Sequence, residues 1–134
     1  MIYLLDTNVW VQFLRNKSAL VVQRINSHHP SDLRVCTVTA AELYTGCLRS
    51  GKPVENRAKV DSLLAPYIFL PFDAAAADVF AQIRHHLETQ GITIGPYDMQ
   101  IAAIARATGC TLVTHNTSEF SRVSGLALED WELP

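Results

Sequence analysis

The sequence predicts an α/β fold with a mostly parallel central sheet. Short apolar segments rich in β-branched residues alternate along the chain with longer segments of helical periodicity. Strands that alternate with helices in this way are typical of parallel sheets. The length of 134 residues, with 49% hydrophobic and 18% charged residues, fits one folded domain. We therefore expect a single α/β domain over residues 1–134.

The first half of the chain contains three predicted strands and four predicted helices. Ser18 is a suitable N-cap for the second helix, and Pro53 stands at the first position of the fourth. Pro71 marks the end of the third strand. The predicted strands are "IYLL" (2–5), "LRVCTV" (33–38) and "YIFLPF" (67–72), and the predicted helices are 7–15, 18–28, 39–50 and 53–67.

The second half has clear start and stop signals. Asp73 is placed to cap a long helix that ends before Gly91, and "ITIGP" (92–96) is a loop. Pro96 begins the next helix, which ends at Gly109. "TLVTHN" (111–116) is a predicted fourth strand, and "LALEDW" (126–131) predicts a short edge strand.

The charge and the cysteine content limit the classes of protein to which this chain can belong. The net charge is −2, but the last 16 residues hold four acids and one base, so the rest of the chain permits an RNA-binding face. The three cysteines, Cys36, Cys47 and Cys110, lack a paired spacing and indicate reduced thiols. No basic leader precedes the first apolar run, and no run approaches the roughly 20 apolar residues of a membrane span. These features favour a cytoplasmic protein.

Four oxygen-bearing side chains are predicted to meet at one edge of the sheet. Asp6 follows the first strand, Glu42 and Asp98 lie in the first turns of helices, and Asn116 follows the fourth strand. In α/β sheets such positions form sites at the carboxyl ends of the strands. Three carboxylates with no nearby Lys or Arg in the sequence repel one another, and a hard divalent cation relieves that repulsion.

Each of these residues also has an ordinary structural explanation. Glu42 stands three residues after Thr39, so "TAAE" is a candidate capping box. Asp98 suits the helix dipole, Asp6 could cap a helix, and Asn116 could serve in a turn. For Asp6, which follows four apolar residues, burial favours a functional role because an unpaired buried carboxylate is costly.

The motifs that contain these residues carry a family resemblance. "LLDTNVW", "TVTAAELYTG", "IGPYDMQIAAIA" and "LVTHNTSEFSRVSGLALEDW" together resemble the ordered signatures of PIN-domain ribonucleases, in particular VapC-type toxins. The resemblance implies an α/β/α sandwich and Mg²⁺-dependent RNA cleavage, in which Mn²⁺ can substitute. It also implies an RNA substrate (tRNA is one candidate), a homodimer, a cognate antitoxin as inhibitor, and contact with operator DNA only through that antitoxin.

The resemblance also assigns roles to residues. Asp6, Glu42 and Asp98 match the family's acidic residues, and Asn116 stands where many PIN domains have a fourth aspartate. Asp6 and Asp98 are expected to bind the main metal ion, while Glu42 binds it through water or orients the nucleophile. Asn116 is expected to be a neutral oxygen donor or a phosphate contact. Three further residues are expected to hold the carboxylates in place: Thr7, Asn8 and Thr114.

Two other classes of function compete with this one. A haloacid-dehalogenase-like phosphotransferase also has an aspartate after its first strand, but it usually has a second one where this chain has Asn8. A non-catalytic PIN fold could act as a binding subunit of a repressor complex. The paired histidines at 28–29 and 85–86 do not predict zinc, and His115 is a loop histidine or a phosphate contact. Trp10 and Phe13 are expected in the core or at a dimer interface.

Overall fold

The computed structural model describes all 134 residues, and its centre is a five-stranded parallel sheet. The strand order is β3-β2-β1-β4-β5, and every neighbouring pair is parallel. The predicted α/β class is therefore confirmed. The strands are β1 (Tyr3–Leu5), β2 (Leu33–Cys36), β3 (Ile68–Leu70), β4 (Thr111–Val113) and β5 (Leu128–Glu129).

Seven helices and one short 3₁₀ turn, Pro30–Asp32, connect the strands. All six predicted helices are present, with ends that differ by at most three residues, and the helix over residues 117–120 was not predicted. No helix is both long enough and apolar enough to cross a bilayer. The helices are α1 (Thr7–Leu14), α2 (Ala19–Ser27), α3 (Thr37–Arg49), α4 (Pro53–Leu64), α5 (Ala74–Thr89), α6 (Pro96–Thr108) and α7 (Thr117–Phe120).

Two hydrophobic clusters cover the two faces of the sheet. Leu4 of β1 belongs to the cluster formed with α5 and α6, whereas Leu5 belongs to the cluster formed with α1 to α4. Adjacent residues of a strand point to opposite faces, so this division is what an α/β/α sandwich requires. Trp10 and Val9 are 0% and 2% exposed and lie in the second cluster. Trp10 is therefore a core residue, the first of the two places expected for it, and Phe13 packs against the same cluster while partly buried.

The residues predicted to begin or end helices do so where they are proline, serine, aspartate or glycine. Asp73 accepts a hydrogen bond from the N–H of Ala76 at 2.9 Å, and Ser18 caps α2 in the same way. Pro53 and Pro96 stand in the first turns of α4 and α6. Gly109 ends α6 with a φ of 70°, a left-handed conformation that favours glycine.

The predicted capping box at Thr39 and Glu42 is wrong. Strand β2 ends at Cys36 rather than at residue 38, and the Cys36 sulfur accepts a hydrogen bond from the Thr39 N–H at 3.5 Å. Helix α3 therefore begins at Thr37, and Glu42 lies in its second turn. At this position the Glu42 carboxylate does not cap the N-terminus of α3. Helix capping therefore does not explain why an acid stands here.

The strand order places a topological switch at β1. From β1 the chain proceeds through β2 and β3 on one side, and later through β4 and β5 on the other. The connections that leave β1 and β4 therefore diverge, and a crevice forms between them at the carboxyl ends of the strands. Asp6 directly follows β1, and Thr114 directly follows β4. The fold thus brings two residues that are far apart in the sequence together at this crevice.

Candidate active site

Asp6 is a buried carboxylate at the end of the central strand. Its side chain is held by the backbone N–H of Thr7, which donates to Oδ1 at 2.8 Å, and by the hydroxyl of Thr114, which donates to Oδ2 at 2.8 Å. The residue is 5% exposed, and burial raises the pKa of its carboxyl group. Asp6 is also the N-cap of α1. The expected capping role is therefore confirmed, and the expected metal-binding role stays a prediction.

Glu42 is linked to the end of β1 by Thr7. The hydroxyl of Thr7 donates to Glu42 Oε1 at 2.7 Å and lies 3.0 Å from the hydroxyl of the buried Thr39. Thr7 therefore touches Asp6 through its backbone and Glu42 through its side chain. This arrangement fixes helix α3 against the start of helix α1, and it holds two carboxylates on the same side of the crevice.

Asp98 brings a third carboxylate from the opposite side of the crevice. It is the third residue of α6 and is half-buried. Burial raises the pKa of Asp98 to about 6, and the negative charges of Asp6, Glu119 and Glu42 act in the same direction. No hydrogen bond or cation counteracts this shift in pKa. The Asp98 carboxylate is thus poorly compensated by the protein alone.

Glu119 is a fourth carboxylate at the site, one that was not predicted from the sequence. Its Oε1 accepts the backbone N–H of Gly95 at 2.8 Å, and its Oε2 accepts the side-chain amide of Asn116 at 2.8 Å. These two donors lower the pKa of Glu119, so it is charged at neutral pH. The charge of the site is therefore one unit more negative than three carboxylates would give.

Gly95 provides the contact between Glu119 and Asp98. A Cβ atom at Gly95 would lie 3.6 Å from Asp98 Oδ2 and 3.8 Å from Glu119 Oε1. The two carboxylates therefore flank the same backbone segment, directly before α6. The signal for Glu119 was present in "NTSE", because an acid three residues after an N-cap asparagine commonly supports a helix start.

Asn116 is the N-cap residue of α7 and contacts the site through Glu119. Its backbone N–H donates to the Thr114 hydroxyl at 3.0 Å, while its side-chain amide is used by Glu119. The side-chain carbonyl oxygen remains as an acceptor. Asn8 is exposed beside Asp6 and forms no side-chain hydrogen bond, so nothing in its contacts supports the expected role in holding the carboxylates. Thr7 and Thr114 have such contacts.

The donor set is suited to a hard divalent cation. Four carboxylates and one amide oxygen surround the crevice, and oxygen ligands are what Mg²⁺ and Mn²⁺ prefer. No three of these carboxylates approach within 4.8 Å of one another, the spacing at which His115, Asp130 and Glu132 do gather. Water would therefore have to complete the coordination of an ion here, as is usual for Mg²⁺.

His115 belongs to the acidic C-terminal segment rather than to the four carboxylates. Its Nδ1 lies 2.9 Å from Asp130 Oδ2 and 3.5 Å from Glu132 Oε2. The hydrogen bond to Asp130, and then the charge of Glu132, raise the pKa of His115. The imidazole is exposed and lines the same cleft as Asp6 and Asn116, with Nε2 unpaired, so the expected phosphate contact stays a prediction.

Two clefts border the carboxylates. The first, which we name the α3–α6 cleft, has a volume of about 470 Å³ and reaches Glu42. The second, the α1 cleft, has a volume of about 340 Å³ and reaches Asp6 and Asn116. Lys17 lines the α1 cleft and Arg49 lines the α3–α6 cleft. Each cleft thus has one basic side chain among its lining residues, and the α1 cleft is also lined by His115 and Glu132.

Comparison with known proteins identifies the family. Residues 3–126 match the PIN domain model. The tRNA(fMet)-specific endonuclease VapC of Shigella flexneri is 40% identical over 129 residues, which cover 96% of this chain and 97% of the relative. Ribonuclease VapC2 of Haemophilus influenzae (strain Rd) is 35% identical, with the same coverage of both chains.

Solved structures give the same result. VapBC2 from Rickettsia felis, bound to a DNA fragment from its promoter, has a TM-score of 0.91 and 32% identity over 98% of this chain and 99% of that chain. FitAcB from Neisseria gonorrhoeae has a TM-score of 0.89 and 29% identity over 99% of this chain and 100% of that chain. The parallel sheet, the four carboxylates at its switch point and these likenesses agree: the chain belongs to the PIN-domain family, and within it to the VapC-type proteins.

Proposed function

We propose that the protein is a metal-dependent RNA endonuclease that hydrolyses phosphodiester bonds and acts as the toxin of a toxin–antitoxin pair. The observation that carries this proposal is the poorly compensated Asp98 carboxylate beside Asp6, Glu42 and Glu119. Carboxylates that repel one another in a crevice fit a site built for divalent cations. The VapC-type relatives carry the names of ribonucleases and a tRNA endonuclease, which supports an RNA substrate and makes tRNA one candidate.

The roles of the side chains follow from their contacts. Asp6 and Asp98 would hold Mg²⁺, or Mn²⁺ in its place, and a bound divalent cation supplies an activated water and relieves charge on the phosphate. Glu42, held by Thr7, would orient the attacking water or bind the ion through water. Glu119 adds a fourth carboxylate from the opposite side. Asn116 keeps Glu119 in position and offers its carbonyl oxygen to the site.

Two partners follow from the same proposal. The solved relatives are toxin–antitoxin complexes, some of them bound to DNA, so we propose a cognate antitoxin that inhibits this chain and contacts operator DNA. We also propose a homodimer, with the exposed apolar side chains of Leu48, Val54 and Ile68 as its contact region. Val54 lies in the 53–65 segment, where we expect part of the dimer contact. Light scattering at micromolar concentration would show a monomer if the dimer proposal is wrong.

The two competing functions make different predictions. A phosphotransferase is not supported, because Asn8, where such enzymes usually have a second aspartate, cannot act as a general acid. The match to the PIN domain model favours a ribonuclease over a phosphotransferase. A non-catalytic binding subunit would retain antitoxin binding but show no metal-dependent cleavage.

The direct experiment uses the purified, antitoxin-free protein with total cellular RNA. The expected result is discrete RNA fragments with Mg²⁺ or Mn²⁺ and intact RNA with EDTA, and a separate incubation with purified tRNA tests that candidate. Asp98→Asn is the matched control, because it keeps the shape of the side chain and removes its charge. Equal cleavage by both proteins, or cleavage in EDTA, would contradict the proposal.

A further inference from the structure

The α3–α6 cleft contains features that the carboxylates do not explain. Its wall on the α3 side includes Val38, Glu42 and a row of residues at intervals of four along the helix: Thr37, Ala41, Thr45 and Arg49. Ala41 is exposed in the middle of this row, and its small side chain leaves the cleft open. Glu42 lies at the edge of the same cleft. The cleft is therefore continuous with the carboxylate site.

An exposed aromatic ring forms part of the opposite wall. Tyr97 precedes Asp98 in the first turn of α6, and it is 59% exposed although its ring is large and apolar. Its hydroxyl group forms no hydrogen bond within the chain. Phe72 and Val38 supply apolar surface within the cleft, and Gln100 supplies a side-chain amide without an intramolecular partner. An apolar ring with free polar groups nearby is suited to a flat, polar-edged ligand.

Arg49 supplies an unpaired positive charge at the end of the α3 row. Most arginines of the chain have a partner within it: Arg57 pairs with Asp61, Arg84 pairs with Glu88, and Arg122 donates to the carbonyl of Thr93. Arg49 has neither an ion pair nor a hydrogen bond, and it is exposed. A guanidinium group in this state is available to bind a phosphate.

We infer that the α3–α6 cleft is a subsite for one unpaired nucleotide next to the scissile phosphate, with its base stacked on Tyr97 and its phosphate on Arg49. An unpaired nucleotide offers a flat base, ribose hydroxyls and an anionic phosphate, and the cleft has a complement for each of them. The inference rests on the proposed ribonuclease function and adds to it the residues that receive a base and its phosphate, Tyr97 and Arg49. A base in a duplex cannot leave its stack to reach Tyr97 without a cost in pairing energy.

The inference can be tested by binding, independently of cleavage. Fluorescence anisotropy in EDTA would measure the Kd of the purified protein for a fluorescein-labelled 12-nucleotide oligouridine and for a 12-base-pair RNA duplex. The variants are Tyr97→Ala, Tyr97→Phe, Ala41→Phe and Arg49→Gln. Arg84→Gln is the control, because it removes an arginine of α5 that lies outside the cleft. All four substituted positions are exposed, and thermal melting would confirm that each variant folds.

The expected results separate stacking from charge. Tyr97→Ala raises the Kd for oligouridine about tenfold, as the loss of one base–aromatic stack does, while Tyr97→Phe changes it less than about twofold. Ala41→Phe fills the cleft and weakens binding to a similar degree. Arg49→Gln weakens binding and lowers the salt slope by about 0.7, the value for one phosphate of a single strand. The duplex binds with little dependence on Tyr97.

Other outcomes would overturn the inference. Unchanged oligouridine affinity in Tyr97→Ala and Ala41→Phe would show that no base enters the cleft, and an equal effect of Arg84→Gln would show only general attraction to charge. Loss of antitoxin binding with unchanged RNA affinity would assign the cleft to a protein partner. If the unaltered protein binds RNA through Tyr97 but cleaves none with Mg²⁺, the subsite stands and the proposed ribonuclease function falls.

Discussion

The hydroxyl of Thr114 donates a hydrogen bond to Asp6 Oδ2 across 2.8 Å, although 108 positions separate the two residues in the sequence. Thr114 is 0% exposed and directly follows β4, while Asp6 directly follows β1. The contact therefore joins the two sides of the topological switch. It also lowers the pKa of Asp6 against the effect of burial, and so favours the charged form that a cation needs.

Removal of this hydroxyl should weaken metal binding. Thr114→Val keeps the shape of the side chain but leaves one oxygen of the buried Asp6 without its donor, which costs about 1–3 kcal/mol of stability. The affinity for Mn²⁺ should fall about 10–100-fold, as is typical when a group that orients a ligand is lost. Titration calorimetry would measure this affinity. Thr114→Ser retains the hydroxyl and should bind Mn²⁺ nearly as well as the unaltered protein, and an equal loss in both variants would contradict the role of the hydrogen bond.

Asp98→Asn should preserve the fold and abolish RNA cleavage. If Asp98 only interacted with the dipole of α6, its charge would contribute about 0.3–1 kcal/mol to stability and nothing to activity. As a metal ligand it should lower the cleavage rate on the order of 100-fold or more, as loss of a group that stabilises the transition state does. Rates of tRNA or total RNA cleavage with Mg²⁺ would distinguish the two roles. A variant with full activity would remove Asp98 from the site.

The raised pKa of Asp98 predicts how stability depends on pH in EDTA. The folded chain holds this proton up to a pH of about 6, whereas the unfolded chain releases it near 3.8. Between these values the folded state binds more protons, so Asp98 lowers the free energy of unfolding as the pH rises through this window. Because Asp98 is partly exposed, solvent screening reduces the effect to about 1–2 kcal/mol.

Chemical denaturation of the unaltered protein and of Asp98→Asn at several pH values would check this effect. The stability of the unaltered protein relative to the variant should decrease from pH 4 to pH 6 and stay constant above pH 7. Mg²⁺ should restore stability at pH 7 in the unaltered protein more than in the variant, because a bound cation compensates the charge. A constant difference between the two proteins across the whole range would mean that Asp98 is not perturbed.

The site residues that could be predicted from the sequence lie directly beside the ends of strands or the starts of helices. Asp6 follows an apolar strand, and Asp98 follows Pro96 at a helix start, so local patterns alone place both at the carboxyl edge of the sheet. Glu42 was placed at the correct edge for the wrong reason. A cysteine is a poor indicator of a helix cap, so the early start of α3 at Thr37 was not visible in the sequence.

Glu119 was missed because its position depends on tertiary structure. It lies in α7, a helix of four residues, which is too short to show a hydrophobic period. In the sequence it stands near the acidic C-terminal segment and resembles an ordinary surface acid. Only the fold places it against the N–H of Gly95, more than 20 positions earlier, and beside Asp98. The burial of Trp10 was also undecided, since one short helix does not reveal which neighbour covers it.

The presence of Glu119 changes what Asn116→Asp should do. With three carboxylates and a neutral amide, a fourth carboxylate at residue 116 would bring a two-metal site to neutrality and strengthen the second ion. Because Glu119 already supplies the fourth carboxylate, two divalent cations balance the site, and an aspartate at residue 116 adds an excess negative charge. The substitution also replaces the amide that donates to Glu119 at 2.8 Å with a group that repels it.

We therefore expect Asn116→Asp to lower the melting temperature in EDTA by several degrees, since about 1 kcal/mol corresponds to roughly 3–6 °C for a domain of this size. Mn²⁺ should reverse most of this loss, because the cation separates the two carboxylates. Glu119→Gln is the matched variant, because it removes the carboxylate that an aspartate at residue 116 would repel. In EDTA the double variant should therefore melt at a higher temperature than Asn116→Asp alone. Scanning calorimetry on the four proteins would measure the coupling. If the two substitutions are additive in EDTA, residues 116 and 119 do not interact, and the hydrogen bond between them does not organise the site.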